Sequence, residues 1–166
     1  AGLLIVAACQ NPLIVIQVKK PPDIDPSLYK RVAVLPFSIQ AADELSYLKD
    51  QIPELVKKHL AGEGAILVTP EPEDVAFWES SAADAGEARR LGIKLSVDYV
   101  VWGSLARSDQ AFILEAKMLK PLIEEPTSSF ELEIEGIENL LSGVQNLATK
   151  IVLKLFERKK IADIRI

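Results

Sequence analysis

Reactive side chains are scarce in this sequence. Its 166 residues hold one histidine, His59, and one cysteine, Cys9. A structural zinc site takes about four Cys or His ligands, so the composition argues against zinc. A lone cysteine admits no internal disulfide. Any Ser–His–Asp or Cys–His arrangement would have to be built on His59. A glycine-rich phosphate loop is also missing. Gly62-Glu63-Gly64 has no third glycine and follows a helical pattern, so it reads as a helix stop. Positive charge is in deficit: the net charge is −5, and the basic footprint of a nucleic-acid binder is absent. We therefore expect no catalytic residue, no cofactor and no metal.

Apolar material is plentiful, at 49% of residues, enough for the core of one domain. The ends read differently from the body. Ala1-Gly2-Leu3-Leu4-Ile5-Val6-Ala7-Ala8 is an apolar run that closes on small residues, like the tail of a truncated secretory signal (residues 1–8). Val6-Ala7-Ala8-Cys9 has the form of a lipobox, which makes Cys9 a candidate for lipidation. Cleavage after Ala8 by ordinary signal peptidase fits the same residues, as does a buried strand with a buried thiol. Gln10, Asn11 and Pro12 interrupt the run, which argues against a membrane span of about 20 apolar residues. Residues 9–30 are expected to be a proline-rich linker, because Pro21, Pro22 and Pro26 deny it helix and inner strand.

The folded body is expected at residues 31–160. Arg31–Phe37 is a short β-branched run and reads as a strand buried on both faces, with Pro36 at its end. Leu45, Leu48, Ile52, Leu55, Val56 and Leu60 recur at helical spacing, with a kink or a second helix expected at Pro53. Ala65–Thr69 reads as a strand, Glu73–Trp78 as a short helix and Gly86–Leu95 as another helix. Asp98–Leu105 and Ala111–Leu119 flank the turn residues Ser108-Asp109-Gln110, as an antiparallel hairpin does. Phe130–Glu135 alternates strictly and reads as a half-buried strand with its glutamates wet. A wide apolar stripe from Ile137 to Leu155 predicts a helix on a sheet, closed by Arg158, Lys159 and Lys160 near its negative pole. Ile161–Ile166 alternates again and is expected to open a following domain. The order β-α-β-α-β-β-β-α predicts an α/β fold. Its mixed sheet joins its first strands in parallel through helices, continues as a meander, and has helices packed on it.

Few residues stand out as sites. His59 reads as a solvated helix-end residue beside Lys57 and Lys58, and Glu131, Glu133 and Glu135 as a wet strand face that also discourages aggregation. Trp102 lies in an apolar strand and reads as core. Trp78 reads either as core or as a surface anchor for a partner. Phe130, Leu132 and Ile134 belong to a strand that offers a sheet edge for strand addition, and are candidate partner contacts. A crevice near Phe37–Gln40 and Thr69–Glu71, at the strands' C-terminal ends, is where an open α/β sheet would bind a small molecule.

Two motifs resemble a known family. Arg31-Val32-Ala33-Val34-Leu35-Pro36-Phe37 is similar to the opening strand of TolB amino-terminal-like domains, and Leu91-Gly92 with Asp98-Tyr99-Val100-Val101-Trp102-Gly103-Ser104-Leu105 is similar to their hairpin. Ala42–Leu48 with Ile52-Pro53-Glu54 resembles the version that precedes POTRA repeats in outer-membrane protein assembly factors. Lys160–Ile166 looks like the first strand of a POTRA domain. The resemblance implies a TolB N-terminal-like fold and a periplasmic scaffold without catalytic residues, at the outer membrane of a Gram-negative bacterium. Its partners would be assembly-complex subunits or nascent outer-membrane proteins, with attachment through a lipid anchor or a following barrel. The alternative it implies is a stand-alone lipoprotein of the TolB, flagellar or curli type, anchored through Cys9.

Overall fold

The computed structural model describes residues 29–157. The expected signal tail, Cys9, all but the last two residues of the linker, and the strand at 161–166 lie outside the described residues. Within them the chain is an α/β domain: a six-stranded mixed sheet with four α-helices.

The opening strand is split in two. β1 (Arg31–Val34) and β2 (Ser38–Gln40) both pair in parallel with β4 (Tyr99–Ser108). Pro36 has no N–H for the ladder, so pairing lapses there and resumes beyond it. Leu35 still donates to the Val101 carbonyl at 2.8 Å, which keeps the two pieces in line.

A 3-10 turn at Asp43–Leu45 leads into α1 (Leu48–Gly62). This is one continuous helix rather than two, with Pro53 inside it. Proline removes one ladder bond near the helix start, and the carbonyl it would have served belongs to exposed Lys49. Water can satisfy that group, so the helix continues.

β3 (Ile66–Leu67) is shorter than expected and pairs in parallel with β1. α2 (Pro72–Ser80) begins on its proline, where the missing N–H costs nothing. α3 (Ala85–Leu95) is capped by Asp84, which accepts from the Glu87 amide at 2.9 Å. β4, β5 (Ala111–Leu119) and β6 (Ser128–Glu135) form the expected antiparallel meander. A 3-10 turn then leads into α4 (Leu140–Leu155). The strand order is β3-β1-β4-β5-β6, with β2 beside β4.

The two sheet faces are covered unequally. On one face α1 and α4 pack over Val32, Val34, Val101, Leu105, Leu114 and Ile134. Each fully buried aliphatic there contributes about 1.5–3 kcal/mol. On the other, α2 and α3 cover only the patch around Ala33, Leu35, Val100, Trp102 and Leu119. The outer half of that face, on β5 and β6, carries partly exposed and exposed side chains. The apolar stripe is also narrower than the sequence suggests: Ile137, in the 3-10 turn, and Leu141, on α4, are about half exposed (47% and 53%).

Gly143 is the point where α4 touches β6. A Cβ there would overlap the Ile134 side chain. Alanine at a free helix position would stabilise by about 1 kcal/mol, but here packing overrides propensity. Gly143→Val should destabilise by about 1–3 kcal/mol in urea unfolding, and Ile134→Ala in the same chain should recover part of the loss.

Tyr99 predicts the alkaline behaviour. Burial pushes its phenol above the ordinary value of 10.0, partly opposed by nearby Lys120. Lys120 is itself raised above 10.5, chiefly by its hydrogen bond to Glu125. Both groups bind protons more tightly when folded, so their stabilisation is complete below about pH 10 and is lost as pH rises through the folded values. The urea midpoint should fall above about pH 10, and Tyr99→Phe should flatten the fall. An unchanged slope in that variant would remove Tyr99 from the explanation.

Candidate interaction surfaces

The sheet ends on short strands at one side, β3 and the three-residue β2, and on a long strand, β6, at the other. β3 is two residues long and offers almost nothing to pair with. β6 is eight residues long, about 27 Å at the usual strand rise. Its register with β5 runs unbroken from Ala111↔Glu135 to Met118↔Ser128. No described strand pairs with its other side. Half of its backbone N–H and C=O groups therefore point away from the sheet. Proline, bulges and lysine, the usual guards of an edge, are absent from it.

Its side chains divide by face. Phe130 and Leu132 are half-buried against the α1/α4 core, and Ile134 is buried beneath Gly143. On the opposite face stand Ser129, Glu131, Glu133 and Glu135, opposite Lys117, Glu115, Ile113 and Ala111 of β5. Glu115 accepts from the Ser129 hydroxyl at 2.9 Å and lies 3.5 Å from the Lys117 ammonium. Among the described residues, the side chains of Glu131, Glu133 and Glu135 form no ion pair.

Two of the candidate contact residues are buried, Ile134 against the expectation and Trp78 in keeping with its core reading. Ile134 is core, because α4 closes over it. Trp78 is also core, at 2% exposure. It meets Trp102 edge-to-face with centroids 6.1 Å apart, and its indole N–H donates to the Pro36 carbonyl at 3.1 Å. The exposed aromatic is its neighbour Phe77, whose ring centroid lies 5.0 Å from the Arg90 guanidinium carbon. Trp78 falls on the same α2 face as buried Asp74, one turn away. Asp74 in turn accepts from Lys94 at 2.6 Å and ties α2 to α3.

His59 lies in the last turn of α1, with Nε2 3.3 Å from the Thr149 hydroxyl on α4. That hydroxyl also donates to the Gln145 carbonyl at 3.0 Å. Among the described residues no carboxylate hydrogen-bonds the ring, and no group of three or more His, Cys, Asp or Glu could hold a metal ion. No described helix is long and apolar enough to cross a membrane.

Two clefts lie at opposite ends of the sheet. The larger, about 820 Å³, opens where β1 and β4 begin and is lined by Tyr29, Asp98, Tyr99, Lys120, Leu122 and Ile123. Its outer wall follows β5 and is fixed by Arg89, whose guanidinium donates to the carbonyls of Lys120, Pro121 and Ile123 at 2.8–3.1 Å. That clamp holds Leu122 outward at 81% exposure. No periodic pattern marks it, because the residues lie in a loop. The smaller cleft, about 550 Å³, takes up only the Phe37–Gln40 part of the expected crevice, and Thr69 and Pro70 line a separate one. The smaller cleft's charged lining includes Lys49 and Glu79, 3.7 Å apart, with a large part of each side chain exposed.

No family model and no curated protein matches the sequence. Solved structures do. A PelC dodecamer from Paraburkholderia phytofirmans is similar over 78% of this chain and 89% of its own, at 12% identity and a TM-score of 0.50. TolB from Acinetobacter baumannii is similar over 75% of this chain and 28% of its own, at 13% identity and a TM-score of 0.48. Escherichia coli LpoB is similar over 65% of this chain and 57% of its own, at 14% identity and a TM-score of 0.48. The likeness to PelC is one of fold.

Proposed function

We propose that this chain is a non-catalytic protein-interaction domain of the bacterial cell envelope, working by addition of a partner's strand to the free edge of β6. The carrying observation is that edge: eight residues, unbroken register, no described partner strand. Strand addition needs little more than such a row of unpaired backbone groups, with side-chain faces to select the sequence. The ring of His59 has no orienting carboxylate among the described residues, which supports a non-catalytic reading. PelC crystallised as a dodecamer, so one chain of similar fold takes part in protein contacts. In its fuller form the domain is a periplasmic scaffold of an outer-membrane β-barrel assembly factor, and its partners are assembly subunits or nascent outer-membrane strands. A second reading, favoured by Val6-Ala7-Ala8-Cys9, is a stand-alone lipoprotein held through Cys9.

Amide exchange on the full chain tests the edge. With saturating synthetic peptides that alternate apolar and polar residues, outward-facing amides within 128–135 should exchange at least tenfold more slowly. Protection confined to other elements, or none in a folded sample, would end the strand-addition reading. Attachment is tested separately. Expressed with its native leader and fed a fatty-acid probe, the protein should take up label that Cys9→Ser abolishes if the lipoprotein reading holds; no label removes it.

A further inference from the structure

We infer that the strand received by β6 carries basic residues at alternate positions, opposite Glu131, Glu133 and Glu135, with apolar residues between them. This rests on the strand-addition reading above and adds the chemistry of the partner.

An incoming strand is pleated as β6 is. Every second side chain lies beside Phe130 and Leu132, on the face that α4 covers. The others lie beside Glu131, Glu133 and Glu135. On that second face β5 and β6 carry four carboxylates, including Glu115, against the single ammonium of Lys117. Lys117 is already taken up by Glu115, which leaves the three β6 carboxylates without a cation among the described residues. A row of Lys or Arg across from them supplies the missing charge, while apolar neighbours extend the covered face.

The same geometry argues against a second copy of β6 as the occupant. In an antiparallel pair, opposed residues share a face. A two-fold pair about Leu132 would set Glu131 against Glu133 of the other copy, and like charges directly opposite destabilise. Shifting the register by one residue would instead turn the partner's apolar side onto the acidic face. The occupant is therefore a heterologous basic and apolar strand.

The test uses the full chain and three acetylated peptides in which valine alternates with lysine, serine or glutamate. At low salt the lysine peptide should bind about tenfold more tightly than the serine peptide, as three favourable cross-strand pairs imply, and the glutamate peptide most weakly. The preference should shrink with added salt. The neutral variant E131Q/E133Q/E135Q should lose it, and E131K/E133K/E135K should favour the glutamate peptide. Circular dichroism of both variants establishes that they fold. Equal protection of β6 amides by lysine and serine peptides overturns the charge inference but leaves strand addition standing. So does a lysine preference that survives in the glutamine variant. If none of the three peptides protects β6, strand addition itself fails, and the charge inference with it.

Discussion

The arrangement depends on β4. Among the described residues it is the only strand with parallel partners on one side, β1 and β2, and an antiparallel partner on the other, β5. Its first half, Tyr99–Trp102, is buried on both faces, because all four helices gather over that end of the sheet. Beyond it, only Leu105 is buried. The change occurs at Gly103, where the Phe37 ring lies against backbone and a Cβ would meet both that ring and the Glu115 carbonyl. A bare position is needed there so that the chain emerging from the Pro36 break can return to the sheet and pair as β2.

From this half-and-half strand the rest of the surface follows. Two helices cover most of one face. The second pair is too short to do so: α2 and α3 have nine and eleven residues, against fifteen and sixteen for α1 and α4. The sheet beyond their reach is mostly polar or small: Ser104, Ala106, Ala111, Glu115, Lys117 and Glu131 share the uncovered face, with Ile113 as its large apolar member. The acidic character of β6 is thus one part of a face left to water by helix length.

Much of this was legible in the sequence. β5 was bounded to the residue, because a turn and a proline frame an apolar run. The meander and the parallel opening strands were legible as well, since hairpin spacing and helical crossovers leave few alternatives. What escaped was decided by tertiary contact. β2 has three residues and no periodicity of its own; it is a strand because β4 offers a ladder. Pro53 looked like a break, but its position near a solvated helix start makes it harmless. The sequence left Trp78 open between core and surface, and only the approach of Trp102 and the Pro36 carbonyl decides for the core. Ile137 and Leu141 fit the apolar period of α4 yet face outward, because periodicity marks a stripe without saying how wide its neighbour is. The clamp of Arg89 on three carbonyls joins a helix to a loop thirty-odd residues away, a relation no local pattern encodes.

The two edges can be weighed by the same physics. An unpaired strand is a hazard that a protein limits by shortening it, kinking it or charging it. β3 takes the first course, at two residues. β6 takes the third only, and on one face only. Charge on one face repels chains with like charge on the corresponding face and admits those of opposite charge, so it filters partners where shortness or a kink would exclude them all. An edge needing protection alone would be equally well served by a proline or a bulge. Its continuous eight-residue register and apolar second face are the features that protection does not require, and they are the ones that strand addition does.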